Sequence, residues 1–479
     1  MRHLPDLTAA LVFVLTLAAT FAAAWLGRRH AGSHGHDSLA GEKLNRWLVG
    51  LSAGAAANSG FVVTGAVGLG YSFGMHWVLL PLSWLIGDVV FWSLFPGRLN
   101  AFGRASQATT LSELLTRGLV GRGAAAVAVL CSAVVILCLG GYVSAQWLAG
   151  QKFIAGAFPV SDVGALTLFA LLIVAYTGIG GFRGSVYVDS LQAVIRLLGT
   201  SLALGAVLWV AAGEREAVLH NLQAAGPGFL QLAPGGVLAT LGFAAGFAAA
   251  ALGFGLGQPH IVSRYLAGAS PEETRAAWWI YIGFVQYTWI SMTVFGVVLR
   301  GLMPHLPEPE AGLSTFFQAR TSAVATGVIV ADVFATIAAT SNSLLVAMAQ
   351  SLTHDLAPRL GLRLPLGMAC VLLGAATMLL SLLCGGSVMS LALSSVSLIA
   401  AGIAPAVIAK VLHWRHDSRS LIVSVVAGIG AAATWKLLGL STAVNEAAAG
   451  LAAGLLAIRL AAPARDSETC IPGLLRKQT

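Results

Sequence analysis

Charge is what this sequence has least of. Only 10% of its 479 residues are Asp, Glu, Lys or Arg, against 57% hydrophobic ones. A soluble domain of this length cannot cover that much apolar surface, so the chain reads as a polytopic membrane protein. Long polar stretches are also missing. The longest run over about 97–122, 212–235 and 301–320, which leaves no room for an appended soluble domain. Cysteine is scarce: residues 131, 138, 370, 384 and 470 fall mostly in apolar runs, without metal or redox spacing, and read as packing residues. No HExxH or P-loop pattern occurs, so no enzyme of those classes is expected. No span carries a repeated charged ring or a carbonyl-filter motif, which argues against a channel. The net charge of +8 sits in short loops and reads as a topology signal, not as contact with nucleic acid.

What is there is a series of apolar runs near the ~20 residues that a bilayer requires. Thirteen can be counted, at roughly 5–26, 45–71, 75–95, 123–149, 160–178, 186–211, 236–262, 276–300, 321–352, 364–384, 387–411, 419–438 and 441–461. The first reads as a retained helix and not a signal peptide, because its basic start is thin (Arg2, His3) and Asp6 follows. Of the 27 basic residues, 20 follow odd-numbered spans, Arg264 among them. Six lie on the other side, and Arg196 lies inside a span. The excess of Lys and Arg in cytoplasmic loops then places the N-terminus outside and the C-terminus in the cytoplasm, in the cell inner (cytoplasmic) membrane. Lipid and a small-molecule solute are the expected partners, and no protein partner is evident. In the loop 97–122, Thr110 or Ser112 is expected to cap a short surface helix. His30, His34 and His36 lie in a Gly/Ser-rich loop that reads as solvated.

Two spans are interrupted. Span two is small, polar and Gly-containing between Ser52 and Gly60. Span seven breaks at Gly253–Gly257, followed by Gln258, Pro259 and His260. Loosened backbone at membrane depth is tolerated only where it is buried or lines a cavity. A pair of broken helices in corresponding positions of two halves points to an inverted repeat with its site at the interface. The chain then divides into a leading helix and loop (1–44), a first repeat (45–211, spans 2–6), an outer loop (212–235), a second repeat (236–411, spans 7–11), and two trailing helices with a tail (412–479). Each intramembrane polar residue is costly unless partnered. On span nine, Asp332, Thr336 and Thr340 share one helix face. On span six, Asp189 and Arg196 share another, and the candidate partners of Arg196 are Asp189, Asp332 and Asp88 on span three.

Four motifs carry a family resemblance: YTGIGG at 176–181 followed by Asp189 and Gln192; LGQPHI at 256–261 with Arg264; the Ser52-Ala53-Gly54 break; and Thr340–Leu356 ending in ThrHisAspLeu. The first resembles the YTxxGGxxAVxxTDxxQ signature of sodium:solute symporters. The chain looks most like the sodium/proline symporter-like members. The resemblance implies an all-α, LeuT-type fold with a five-plus-five inverted repeat, one leading and two trailing helices, and alternating access. It implies a Na+ site from carbonyls at Ala55, Asn58 and Thr336 and hydroxyl-bearing positions 339 and 340, with Asp189 on the cytoplasmic ion path. It implies a solute pocket at Tyr142, at Ser59 beside the first break, and at the span-seven break, where Ala251, Phe254 and Gly255 stand.

The sequence departs from that pattern. Ala57 stands where proline symporters carry an aspartate, Ala339 replaces one of two hydroxyls, and Ala251 and Gly255 replace two aromatic residues, leaving Phe254 or Trp147 to fill the pocket. The leading expectation is sodium-coupled symport of a small organic solute of amino acid or carboxylate type. One alternative is sodium-independent or proton-linked transport, with Arg196 replacing the ion and Asp332 or Asp189 carrying the proton. Another is a non-transporting solute sensor on the same fold, against which the end at Thr479, without a signalling domain, argues.

Overall fold

The computed structural model describes residues 7–29, 43–157, 160–384 and 388–463. The histidines at 30, 34 and 36 lie outside them. The first half contains α1 (Leu7–Arg29), α2 (Arg46–Ala57), α3 (Ala66–Phe73), α4 (Leu79–Leu94), α5 (Pro96–Ser106), α6 (Leu111–Thr116), α7 (Gly121–Ala157), α8 (Asp162–Gly213) and α9 (Arg215–Ala224). The second contains α10 (Gly236–Gly257), α11 (Pro259–Leu266), α12 (Pro271–Ala276), α13 (Trp278–Leu302), α14 (Gly312–Arg320), α15 (Ala323–Gln350), α16 (Leu366–Cys384), α17 (Val388–Val411), α18 (Ser418–Leu437) and α19 (Glu446–Leu460). Among the described residues there is no strand, only an isolated bridge between Leu44 and Gly268.

Among the described residues, ten helices are long and apolar enough to cross a bilayer, and the pair Arg46–Ala57 and Phe61–Phe73, bent by 57°, makes an eleventh. The expected count of thirteen is therefore not reached by length and composition. The other two expected spans correspond to a short apolar helix at Asp162–Thr177 and to the 15-residue α19. Asp162–Thr177 runs on into the next span as the single helix α8, broken only at Gly181, where φ is 59° and ψ is −159°. That combination is open essentially to glycine alone.

Both interruptions are narrower than the sequence suggested. Span two stays α-helical through Ala57, opens at Asn58–Ser59 and resumes as a π-turn over Phe61–Gly65. Span seven is regular α-helix through Gly257 and breaks only at Gln258, which is extended (φ −88°, ψ 106°). The break belongs to Pro259, which lacks an N–H and forces the residue before it out of the helical region. The glycines before it serve packing instead: a Cβ at Gly253 would lie 2.6 Å from Ala400, and one at Gly257 2.9 Å from the Ile399 carbonyl. Small residues let helices approach closely where lipid offers no hydrophobic drive. Thr110 caps α6 by accepting from the Glu113 N–H at 3.0 Å, and α6 is largely buried rather than lying on the surface.

Gly181→Ala is expected to cost about 1–3 kcal/mol. The check is the thermal midpoint of purified protein followed by size-exclusion chromatography, and an unchanged midpoint would contradict the assigned backbone.

Candidate ion and solute site

The break in span two frees backbone groups that must find partners. Gln146 of α7 accepts from the Gly60 N–H at 3.0 Å. Ser59 accepts from the Phe61 N–H through Oγ at 3.2 Å, and its carbonyl accepts from Val62 N–H at 2.9 Å. The Thr340 hydroxyl of α15 donates to the Ala56 carbonyl at 3.2 Å. This contact brings α15 onto the broken helix, beside the carbonyls of Ala55 and Asn58. The Asn58 side chain turns the other way and donates to Thr288 Oγ1 on α13. Thr336, one turn from Thr340, directs its hydroxyl to Asp332 at 3.4 Å. Tyr176, from the first motif, donates to the Ala338 carbonyl at 2.7 Å and so fixes α15 in place.

A cavity of about 40 Å³ opens against the same break, with room for about three waters. Asn58, Ser59 and Tyr142 give it a polar end, and Phe61, Trp84 and Trp289 give it aromatic walls. Phe254 and Tyr281 also line it. The rings meet edge to face: Trp84 lies 5.4 Å from both Phe254 and Trp289, and Phe61 lies 5.3 Å from Trp289. Of the expected pocket residues, Tyr142, Ser59 and Phe254 are in the lining. Ala251 and Gly255 are not. They face α4, where a Cβ on Gly87 would lie 2.6 Å from Ala251 and one on Gly255 2.8 Å from Phe91. Trp147 is not a pocket residue either; its indole donates to Thr377 at 2.9 Å in a fully buried contact.

Two buried ion pairs flank the Thr336–Thr340 stretch along α15. Arg196 pairs with Asp332 at 2.6 Å, and both side chains are almost fully buried. Gly199 makes room for that carboxyl, since a Cβ there would lie 2.3 Å from it. Of the three acids named as candidate partners, Asp332 is the one chosen. The second pair joins Asp189 to Arg264 at 2.9 Å. Ser52 donates to Asp189 at 2.8 Å, and Arg264 reaches Ser185 and Ser343 at 2.8 Å each. Arg264, counted among the loop cations, is thus 1% exposed inside the protein. The loop reading failed because residues 259–266 form the buried helix α11, which packs against α2 and α5 and carries Arg264 inside.

Sequence reasoning missed Gln146, Arg264 as the partner of Asp189, and the rings of Trp84, Tyr281 and Trp289. Gln146 carried a usable signal, a buried amide inside an apolar span. The rings carried none, because aromatic residues in apolar spans are common.

A family model described as the sodium:solute symporter family matches residues 38–438. The chain belongs to that family. Two relatives from Bacillus subtilis (strain 168) are similar to this symporter over most of its length. The osmoregulated proline transporter OpuE is 24% identical, covering 88% of this chain and 87% of its own. The high-affinity proline transporter PutP is 25% identical, covering 88% and 90%. Among solved structures, a Na+-coupled sialic acid symporter in a substrate-bound outward-open state matches with TM-score 0.75 at 17% identity, over 96% of this chain and 99% of that one. MhsT in complex with L-phenylalanine matches with TM-score 0.53 at 15% identity, over 87% and 99%. At such identities the likeness shows the fold, which is of LeuT type.

Because each charge in these two pairs has a single counter-charge, Asp189→Asn is expected to strand the Arg264 guanidinium and destabilise the symporter by about 3–5 kcal/mol. Asp189→Leu combined with Arg264→Met is expected to cost less than either change alone. A double-mutant cycle on thermal midpoints checks this, and additive losses would show that the pair is not coupled.

Proposed function

We propose that this symporter imports a small organic solute, of amino acid or carboxylate type, by coupling it to sodium entry through alternating access. The observation that carries the reading is the contact of Thr340 with the Ala56 carbonyl, directly beside the cavity at Asn58 and Ser59. An ion there would take the carbonyls of Ala55, Asn58 and Thr336 and the Thr340 hydroxyl, and would hold α2 against α15. A small hard cation favours such an all-oxygen set. Tyr142, Ser59 and Phe254 would hold the solute at the polar end of the aromatic cavity. Ion and solute then stabilise the same closed arrangement, which is what coupling requires.

The Asp189–Arg264 cluster supports a closed cytoplasmic end in this arrangement, with the N-terminus outside and the C-terminus inside. Spans 2–6 and 7–11 would be the two repeats. Coupling by Arg196 in place of sodium is the weaker reading, because Asp332 already balances that charge. A neutral pair supplies no positive charge to stand in for an ion.

Sodium chloride is expected to raise the thermal midpoint of purified protein over an equal concentration of choline chloride. Thr340→Ala is expected to raise the sodium concentration for half the effect roughly tenfold, since one lost oxygen ligand is worth about 1–1.5 kcal/mol. Identical melting in sodium and choline would overturn sodium coupling, and uptake unchanged by choline replacement in vesicles would do the same.

A further inference from the structure

Once Asp332 and Asp189 are each matched to an arginine, one acid within the lipid-depth part of the described residues has no counter-charge. Asp88 is 1% exposed, and its Oδ2 has no hydrogen-bond partner. Two other buried acids lie at helix ends: Asp355 accepts from Thr110 at 3.0 Å, and Glu446 opens α19. Asp88 instead lies six residues inside the end of α4, about 9 Å along the axis at ~1.5 Å per residue.

The surroundings of Asp88 are specific. Tyr265 on α11 and Tyr281 on α13 both set their rings against Trp92, one turn along α4 from Asp88, with centroids at 5.3 Å. Tyr265 packs against Trp92 and Phe91, with ring centroids at 5.3 and 5.4 Å. The Tyr265 hydroxyl has no hydrogen-bond partner among the described residues. Helix α10, packed along α4, contributes no ionisable residue at all. The arginines of α5, Arg98 and Arg104, are exposed, and Arg104 is held by the Ala269 carbonyl. Arg264, next to Tyr265, is committed to Asp189. His76, on the short turn before α4, lies twelve residues away along the chain. Among the described residues, no basic side chain therefore balances Asp88.

A carboxylate buried without a counter-charge is too costly to persist, and the neutral acid is the form such a site tolerates. Asp88 lines neither the solute cavity nor the smaller cavity at Thr109–Leu111. A proton is the one cation that needs no space. We propose that Asp88 is a proton-binding site of this symporter, separate from the oxygens around Thr340, occupied while Tyr265 of α11 is packed against Phe91 and Trp92 of α4. Trp84, four residues earlier on the same face of α4, lines the solute cavity, so the site lies one turn from it. Helix α11 is eight residues long and joined to α10 through Gln258 alone. When α11 moves away, water reaches the carboxyl. The O–H bond breaks, its electron pair stays on the carboxylate and the proton passes to water. Repacking reverses the step, with water or hydronium as the donor and no other reactant.

The proposal borrows the transporter reading only for the movement of α11, and the experiment separates the two. Infrared spectra of the purified full-length protein are recorded across a pH titration, following the C=O stretching band of protonated carboxyl groups. The expected result is a band at neutral pH that is lost in Asp88→Asn and that disappears reversibly in the wild type on alkaline titration. Should Asp88→Asn not fold, Tyr265→Phe, which removes only a buried hydroxyl, is expected to shift the band. A spectrum identical in wild type and Asp88→Asn, a band indifferent to pH, or a band unmoved in Tyr265→Phe overturns the proposal. The sodium-induced rise in thermal midpoint is expected to survive in Asp88→Asn. Its loss there would overturn the separateness of the two sites. Its absence in the wild type would overturn sodium coupling alone, because the carboxyl band reports on Asp88 without reference to sodium.

Discussion

Backbone groups at membrane depth have no water to turn to, and the centre of this structure follows from how two helices meet that constraint while broken. At Asn58–Ser59 the helical ladder opens, and Gln146, Ser59 and Thr340 take up groups it releases. At Gln258–Pro259 the opening is a single residue wide, and α11 resumes beyond it with Arg264. An interruption satisfied by side chains from other helices ties those helices to it. That is why α7, α13 and α15 all converge on the first break. Thr340, which takes up one of those groups, is also a group an ion would compete for, which makes the break a natural place to couple ion binding to helix position.

The charged residues obey a parallel rule. Arg196 and Arg264 are buried, and each has one acid within 3 Å. The two pairs bracket Thr336 and Thr340 along α15 and leave that stretch electrically balanced at both ends. A cation entering between them meets carbonyl and hydroxyl dipoles and no net repulsion. Asp88 departs from this pairing, and it lies on α4 between Trp84, which lines the solute cavity, and Trp92, on which Tyr265 and Tyr281 pack, rather than along α15.

Much of the fold was legible in the sequence, for reasons that can be assigned. Apolar run length finds spans because a bilayer has a fixed thickness, and eleven of the expected thirteen meet that test. The second break was expected at Gly253–Gly257 and lies at Gln258, just beyond them; the glycines misled because a glycine serves close packing as readily as bending. The pairing of Asp332 with Arg196 was one of three options open from helix faces, since periodicity gives the face of a residue but not the neighbour it meets. Ala251 and Gly255 show the same limit: they sit beside the pocket in sequence and face α4 in space.

The sequence by itself determined that this is a membrane protein of the symporter type, that two spans are interrupted, and which intramembrane polar residues need partners. These follow from composition, local chain chemistry and motif spacing, all of them properties of short segments. Tertiary structure alone decided that Arg264 turns inward to Asp189, that Trp84, Tyr281 and Trp289 wall the cavity, and that Asp88 is left without a counter-charge. Each depends on which helices become neighbours. That is settled by packing across the whole bundle, between residues up to a few hundred positions apart.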